Sequence, residues 1–329
     1  MKAIIKQLIR HKTLNRSVAK EVLVNIANGK YNDAEIAAFL GLYMMRPANV
    51  DELSGFRDAL LELCVAVDFS EFNTIDLCGT GGDGKDTFNI STLASLVVAG
   101  AGERVAKHGN YGVSSVCGSS NVMEFLGYEF SNDQEKLKSS LDKAGFVYLH
   151  APFFHPAMKA VGGIRRDLGM KTFFNILGPM VNPSSPKNQL VGVFDLETMR
   201  LYNYMFQQSN KNFTILHSLD GYDEISLTDS FRSVSNGGEQ LIAPADLGFS
   251  VLKEADLAGG KNIEESAKLF VDILKGAGTE AQSSVVVANA ALALKTMNSA
   301  ADMGTCLERA ERALKDRKGY DVLKQITQK

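Results

Sequence analysis

From about residue 72 onward, short apolar runs alternate with helical patterns, and this alternation limits the possible folds more than any other feature. Strands are predicted at residues 74–78, 104–106, 146–149, 190–194 and 213–216. Helices are predicted between them, and Asn236-Gly237 predicts the turn of a later hairpin. This order is typical of an α/β fold with a central, mainly parallel sheet that helices cover.

The first 67 residues show no strand pattern and are expected to be helical throughout. Asn32 with Glu35, and Asn49 with Glu52, have the spacing of helix N-caps with a reciprocal acid. A chain of 329 residues also exceeds a typical single domain. We therefore expect a small all-helical domain at residues 1–70 and a larger α/β domain at residues 71–329.

Composition excludes several classes of protein. The formal net charge of −3 argues against general binding to nucleic acids. The four cysteines are scattered without the spacing of a metal site, which predicts reduced thiols in the cytoplasm. The N-terminal apolar stretch is too short for a signal peptide, and no apolar run approaches the length of a membrane span. A cytoplasmic protein without a membrane or nucleic-acid partner is expected.

The strongest functional signal is the glycine-rich segment at residues 79–92, which follows the first predicted strand. Glycines let backbone N–H groups approach a phosphate closely, and a helix N-terminus adds partial positive charge. Gly79, Gly81 and Gly84 also match the dinucleotide fingerprint, but polar residues separate this loop from its helix and no acid ends the next strand. Because Asp83 would repel a bare pyrophosphate, a phosphorylated sugar with a bound metal fits better.

Two polar segments follow the second predicted strand. The run from Lys107 to Asn110 is expected to open a loop at the carboxyl end of a parallel strand, where ligands of α/β sheets bind. Lys107 supplies positive charge for a phosphate, and the Asn110 amide suits a small polar ligand. The next segment is typical of a second phosphate cradle and contains Ser114, Ser115, Gly118, Ser119 and Ser120.

Paired carboxylates at Asp223-Glu224 follow the fifth predicted strand. Exposed acids of this kind are ordinary loop residues, but acids that face a phosphate site suit Mg²⁺, which commonly takes one or two carboxylates plus substrate phosphates. Ser91 offers a hydroxyl ligand from the glycine segment. Elsewhere, Arg165 suits a substrate carboxylate, whereas a histidine such as His155 is more often structural than catalytic.

Taken together, these motifs resemble the anthranilate phosphoribosyltransferase family over nearly the whole chain. The resemblance rests on Gly79-Thr-Gly-Gly-Asp83, Asn89-Ile-Ser-Thr92, Lys107-His-Gly-Asn110, Arg165-Arg-Asp-Leu-Gly169, Phe174-Asn-Ile-Leu-Gly-Pro179 and Asp223-Glu224. It implies a helical domain, joined by helices near 160–185, that is hinged to the α/β domain. It also implies a homodimer through the helical domain, and Mg²⁺-dependent transfer of phosphoribose from 5-phosphoribosyl diphosphate to anthranilate.

The resemblance also implies roles for particular residues. The 5-phosphoribosyl diphosphate site would comprise Gly79, Gly82, Asp83, Thr87, Asn89, Ser91, Thr92, Lys107 and Ser119. Anthranilate would contact Gly79, Asn110, His155 and Arg165, and Mg²⁺ would contact Ser91, Asp223 and Glu224. Two departures from the family's pattern concern the diphosphate site: Tyr111 stands where Arg is frequent, and Gly118-Ser119-Ser120-Asn121 stands where Gly-Ser-Ala-Asp is frequent.

The reaction is consistent with these residue types. Diphosphate leaves the sugar with growing negative charge, which a metal, Lys107 and loop N–H groups would stabilise. The anthranilate amine is already neutral near pH 7, so no residue is assigned as a general acid or base. Two alternatives remain: a pyrimidine nucleoside phosphorylase, which the Asp223-Glu224 pair disfavours, and a non-catalytic paralogue that binds nucleic acid, which the acidic net charge disfavours.

Overall fold

The computed structural model describes residues 1–112 and 116–327 of the chain. The chain divides into two compact units. One unit contains Met1–Val67 and Ala151–Ser185, and the other contains Asp68–His150 together with the chain from Pro186 onward. The N-terminal helical domain and the larger α/β domain with its mainly parallel sheet confirm the predicted fold class.

The helical unit is built from two segments of the chain. Its helices are α1 (Lys2–Ile9), α2 (Arg16–Ala27), α3 (Asp33–Met45), α4 (Val50–Glu62), and, from the second segment, α8 (Ala151–Phe154), α9 (Lys159–Leu168) and α10 (Phe174–Leu177). Both predicted capping boxes are present, with Asn32 and Glu35 beginning α3 and Asn49 and Glu52 beginning α4. The backbone joins the segments where the Val65 N–H donates to the Phe154 carbonyl and the Val67 N–H to the Pro183 carbonyl.

Aromatic rings from both segments form the core of the helical unit. Phe39 and Tyr43 of α3 and Phe56 of α4 meet edge to face. Phe173, from the second segment, stacks on Phe56 with ring centroids 4.3 Å apart and also meets Phe39 and Tyr43 edge to face. Aromatic pairs stabilise a core by more than the burial of their surface alone, so Phe173 contributes substantially to the stability of this core.

A seven-stranded sheet forms the centre of the α/β unit. Its strands are β1 (Thr74–Gly79), β2 (Arg104–Gly109), β3 (Phe146–His150), β4 (Asn188–Gly192), β5 (Asn212–Ser218), β6 (Phe231–Ser235) and β7 (Gly238–Ile242). The order is β3-β2-β1-β4-β5-β6-β7. The first five strands in this order are parallel, and β6 and β7 add the predicted hairpin in antiparallel orientation. The carboxyl ends of β1, β2, β4 and β5 therefore share one edge, where ligands of such sheets bind.

Helices surround this sheet: α5 (Ile90–Gly100), α6 (Ser119–Phe125), α7 (Gln134–Ala144), α11 (Leu196–Gln207), α12 (Ile263–Leu274), α13 (Glu280–Met297), α14 (Met303–Lys315) and α15 (Lys318–Thr327). The charged C-terminal part of the chain forms two helices, α14 and α15. The apolar helices α5 and α13 belong to the buried core. In the described part of the chain, no helix combines the length and apolar character that a membrane span requires.

Candidate active site

The glycine loop and the paired acids lie side by side at the shared edge of the sheet. The Gly81 N–H donates to Asp223 Oδ2 at 2.7 Å, and the Ser91 N–H donates to Glu224 Oε1 at 2.9 Å. The Thr87 hydroxyl also donates to Glu224 Oε2 at 3.4 Å. Segments 133 positions apart in the sequence are thus brought together, as a shared ligand requires.

Two glycines permit this close approach. A Cβ atom on Gly79 would collide with the Asp223 carboxylate, and a Cβ atom on Gly192 would collide with the Asp223 backbone carbonyl. Gly82 in the same loop has φ of 83°, in the left-handed region that favours glycine. Nothing in the sequence near Gly192 indicates this role, because the backbone that packs against it is distant along the chain.

The acidic pair carries charge that the protein only partly neutralises. Asp223 is 7% exposed. Burial raises the pKa of Asp223 well above its ordinary value, and the nearby Glu224 and Asp83 carboxylates raise it further. Burial also raises the pKa of Glu224, and the hydrogen bond from the Ser91 N–H offsets part of that rise. Bringing a cation to this site would relieve the repulsion that these shifts reflect.

Lys107 differs from its predicted position. The sequence places it in a loop, but β2 continues to Gly109, so Lys107 lies within the strand and is 2% exposed. Its Nζ donates to the Leu77 carbonyl and, at 3.4 Å, to the Ser91 hydroxyl. Burial lowers the pKa of Lys107, while Asp76, Glu224 and Asp223 are among the groups that raise it. The ammonium is therefore a buried positive group beneath the predicted metal ligand Ser91.

The end of the glycine segment presents two further predicted residues. Asn89 is the N-cap residue of α5, and its Nδ2 donates to the Cys117 carbonyl at 2.9 Å. Thr92 is 1% exposed, and its hydroxyl has no hydrogen-bond partner within the described ranges. A buried hydroxyl without a partner costs free energy, so its presence here favours a ligand-related role. Asp83 accepts from the Lys85 N–H at 3.2 Å.

Short polar contacts hold the second cradle to Asn110 and to Tyr148 of β3. The Asn110 carbonyl accepts from the Ser120 N–H at 3.1 Å and from the Ser119 hydroxyl at 3.3 Å. The Tyr148 hydroxyl lies 2.7 Å from Ser119 Oγ and 2.9 Å from Ser120 Oγ. Ser119 and Asn110 are thus adjacent in the α/β unit. Ser114 and Ser115, which the sequence placed in this cradle, lie outside the described residues.

Both departures from the family's pattern have local partners. The Tyr111 hydroxyl donates to the Glu124 carboxylate at 3.2 Å, and its ring meets His150 edge to face. Asn121 Oδ1 accepts from the Gly112 and Gly118 N–H groups, both at 3.0 Å. An amide oxygen accepts these two hydrogen bonds as a carboxylate oxygen would. Asn121 therefore holds the turn without the negative charge that an Asp would bring.

The remaining predicted residues belong to the helical unit. Arg165 on α9 donates to Asn175 Oδ1 at 3.4 Å and lies over the Phe174 ring at 5.3 Å. Burial lowers the pKa of Arg165, and within residues 1–112 and 116–327 it forms no ion pair. The Arg165 guanidinium therefore has the capacity to bind an anion. His155 is 4% exposed, and burial lowers its pKa.

The donor set at the acidic pair fits Mg²⁺. Two carboxylates and the Ser91 hydroxyl are hard oxygen donors of the kind this ion prefers. Across the described ranges, no three His, Cys, Asp or Glu side chains are grouped so that they could hold a metal by themselves. Because Mg²⁺ commonly completes its coordination with water and substrate phosphates, two carboxylates suffice for an ion that binds together with a diphosphate.

Family models match both parts of the chain. The model described as "Glycosyl transferase family, a/b domain" matches residues 71–320, and "Glycosyl transferase family, helical bundle domain" matches residues 2–64. Among the similar curated proteins, the anthranilate phosphoribosyltransferase of Flavobacterium psychrophilum is 58% identical over 328 residues, which cover 100% of this chain and 99% of that protein. That of Bacteroides fragilis is 49% identical with the same coverage.

Solved structures agree with these relatives. The anthranilate phosphoribosyltransferase of Thermus thermophilus has a TM-score of 0.92 and 29% identity, with 98% of each chain covered. The Saccharomyces cerevisiae enzyme in complex with PRPP and Mg has a TM-score of 0.90 and 22% identity, covering 98% of this chain and 96% of that one. From the two matched domains and the identity to the curated relatives, the chain belongs to the anthranilate phosphoribosyltransferases of this glycosyltransferase family.

Proposed function

We propose that the protein transfers the phosphoribosyl group of 5-phosphoribosyl diphosphate to the amine of anthranilate in tryptophan biosynthesis. The products are N-(5-phosphoribosyl)anthranilate and diphosphate. The names of the relatives support this reaction. Its main structural support is the contact between the glycine loop and the paired acids, through the Gly81 and Ser91 N–H groups.

The diphosphate sugar binds, in this proposal, along the glycine loop and the second cradle. The residues are those that the sequence singled out: Gly79, Gly82, Asp83, Thr87, Asn89, Ser91, Thr92, Lys107 and Ser119. Backbone N–H groups at glycines with positive φ and at the start of α5 suit phosphate oxygens. The buried hydroxyl of Thr92, which has no partner in the described part of the chain, supports the same placement.

Mg²⁺ is proposed to bind Ser91, Asp223 and Glu224, as it accompanies PRPP in the yeast structure. When bound, it neutralises the charge that develops on the departing diphosphate. Lys107 contributes a further positive charge from beneath Ser91. Fixed charges and dipoles of this kind usually supply the largest share of catalysis, and the loss of one well-placed donor costs about 3 kcal/mol.

Anthranilate is proposed to contact Gly79, Asn110, His155 and Arg165. Arg165 is the group suited to the carboxylate, because its guanidinium forms no ion pair in the described residues. Asn110 lies next to Ser119, whose hydroxyl donates to the Asn110 backbone carbonyl. No residue is assigned as a general acid or base, since the aromatic amine attacks in its neutral form and correct positioning supplies the remaining acceleration.

A homodimer and a cytoplasmic location are also part of the proposal. The homodimer rests on the resemblance to the family, and the helical unit through which it would form carries the exposed apolar side chains Ile9 (60% exposed) and Met45 (85% exposed). Cys64, Cys78, Cys117 and Cys306 are all free thiols, as expected in a reducing compartment. Light scattering during gel filtration would measure the mass of the assembly, and a monomer would contradict the dimer.

The reaction is tested by following anthranilate fluorescence. Fluorescence should fall when 5-phosphoribosyl diphosphate and Mg²⁺ are both added, and EDTA should prevent the change. Persistent fluorescence with both substrates and the metal present would contradict the proposal. A parallel assay with a pyrimidine nucleoside and inorganic phosphate tests the phosphorylase alternative, for which base release without a diphosphate sugar is the positive result.

A further inference from the structure

Helix α13 is apolar and buried along most of its length, yet it carries an asparagine in its middle. Its buried residues are chiefly Val, Ala and Leu, and Asn289 among them is 4% exposed. An amide in such surroundings costs free energy unless all of its hydrogen-bonding groups find partners. A leucine at this position would pack without that cost, so the contacts of Asn289 require an explanation.

Asn289 uses its whole amide, and mostly on one distant residue. Its Oδ1 accepts from the Ile225 N–H at 3.1 Å, and its Nδ2 donates to the Ile225 carbonyl at 2.9 Å. The second Nδ2 hydrogen goes to the Val285 carbonyl at 2.9 Å, one turn earlier in α13. Because Ile225 presents one donor and one acceptor, only this orientation of the amide satisfies both. The side-chain amide thus bonds to the N–H and the carbonyl of Ile225, as the backbone of a neighbouring strand would.

Ile225 directly follows the paired acids, so this contact acts on their backbone. The Glu224 carbonyl accepts from the Ser218 hydroxyl at 2.6 Å, and the Asp223 carbonyl packs where Gly192 leaves room. The backbone from Asp223 to Ile225 is therefore held at three consecutive residues. Asn289 supplies the last of these contacts and also lines the small cavity beside Asp223, Glu224 and Ser91.

The acids need such an anchor because they repel one another. Two adjacent carboxylates of like charge repel one another, and this repulsion favours arrangements in which one of them turns away. A backbone held on both sides of Glu224 opposes that movement and keeps the carboxylates directed at the Gly81 and Ser91 N–H groups. In a site of this kind, small displacements of the charged groups reduce binding strongly.

We propose that Asn289 is a positioning residue: it fixes the Asp223–Glu224 pair for metal and diphosphate by pairing with both peptide groups of Ile225. This inference rests on the proposed function, in which that pair binds Mg²⁺ with 5-phosphoribosyl diphosphate. All of its amide groups bond within the protein, so it is proposed to act on the ligands through Ile225. Loss of Asn289 is therefore expected to weaken the binding of the diphosphate sugar and of the metal, and not the binding of anthranilate.

The test compares Asn289→Ala with Thr296→Val in the full-length protein. Thr296 lies two turns further along α13, is 6% exposed, and bonds to Thr214 Oγ1 and the Leu292 carbonyl. It is a matched control because its loss also removes buried hydrogen bonds from α13 without touching the acidic segment. Calorimetry measures the Kd of 5-phosphoribosyl diphosphate at fixed Mg²⁺, and kinetics measure the Mg²⁺ concentration for half-maximal rate.

Asn289→Ala should raise the Kd of 5-phosphoribosyl diphosphate and the Mg²⁺ concentration for half-maximal rate, each about tenfold, because two hydrogen bonds to the Ile225 backbone are lost. The KM for anthranilate should not change. Thr296→Val should change neither the Kd nor the Mg²⁺ requirement. If Asn289→Ala fails to fold, Asn289→Leu keeps a similar side-chain volume but removes the amide donors and acceptor, and the same direction is expected. Lower thermal stability with unchanged Kd and Mg²⁺ requirement would overturn the inference. Failure of the unmodified protein to bind the diphosphate sugar would instead overturn the proposed function, and the inference with it.

Discussion

Gly79 illustrates how one residue without a side chain can fix a site. Because the Asp223 carboxylate occupies the space of its missing Cβ, Gly79→Ala must push that carboxylate away from the Gly81 N–H. We expect kcat/KM for 5-phosphoribosyl diphosphate to fall at least about tenfold while the fold is kept. Steady-state kinetics with the diphosphate sugar varied would measure this.

Gly41→Ala is the control for that prediction. Gly41 lies within α3, and a Cβ atom there would meet nothing within 4 Å. This substitution should leave kinetics unchanged and stabilise the helix by up to about 1 kcal/mol. Equal kinetic parameters for Gly79→Ala and the unmodified protein would show that the approach of Asp223 to the glycine loop does not matter for binding.

Substitutions of charged residues in the two units should affect the kinetics of different substrates. Asp223→Asn and Lys107→Ala are expected to lower kcat/KM for 5-phosphoribosyl diphosphate about a hundredfold, because each removes a charged group of the proposed diphosphate and metal site. Arg165→Ala should mainly raise the KM for anthranilate, by about tenfold. The measurement is a full set of steady-state parameters with each substrate varied. Unchanged diphosphate-sugar kinetics in both of the first two variants would refute the metal and phosphate roles.

At the scale of the element, the sequence predicted helices and strands better than their ends. The capping boxes of α3 and α4 are present as predicted, because each depends on residues only three positions apart. The predicted end of β2 was wrong. Polar residues from Lys107 onward indicated a loop, whereas the pairing of β2 with β3 continues through Gly109. Strand length depends on the neighbouring strand, and the polarity of a segment does not report it.

The capping box of α4 also contains a buried charge whose effect on stability depends on pH. Glu52 is fully buried and accepts from Arg46, from the Tyr43 hydroxyl and from the Leu14 N–H. Burial by itself raises the pKa of Glu52, but these hydrogen bonds outweigh it, and the net pKa lies below the ordinary 4.5. Ionised Glu52 therefore stabilises the fold above that value, and this contribution is lost as the pH falls through the lowered pKa.

We expect Glu52→Gln to lower the free energy of unfolding near neutral pH by about 3 kcal/mol, since Arg46 loses its buried partner. The difference from the unmodified protein should shrink in acid, where Glu52 itself becomes neutral. Denaturant unfolding of both proteins over a range of pH would measure this. A difference that stays constant as the pH falls would show that the charge of Glu52 does not contribute. Glu62→Gln, at a half-exposed ion pair with Lys20, is the control and should cost less than about 1 kcal/mol.

At the scale of the whole molecule, the helical unit depends on a segment far along the chain. Phe173 packs on Phe39, Tyr43 and Phe56, and two backbone hydrogen bonds tie the segments together. We expect a fragment of residues 1–67 to be poorly folded, because it lacks this ring and those bonds. The same fragment joined by a flexible linker to residues 151–185 should fold cooperatively. Circular dichroism during heating would compare them, and a sharp transition in the short fragment would contradict the prediction.

Helix caps, the α/β alternation, the glycine loop and the two adjacent acids could all be predicted from neighbouring residues in the chain. These follow from backbone conformation and periodicity, which a few consecutive residues set. Only the tertiary structure placed the acids against the glycine loop, assigned Gly192 and Asn289 to the acidic segment, and buried Lys107 within a strand. Contacts such as that of Asn289 with Ile225, 64 positions apart, depend on how helices and sheet pack, and no local pattern specifies that packing.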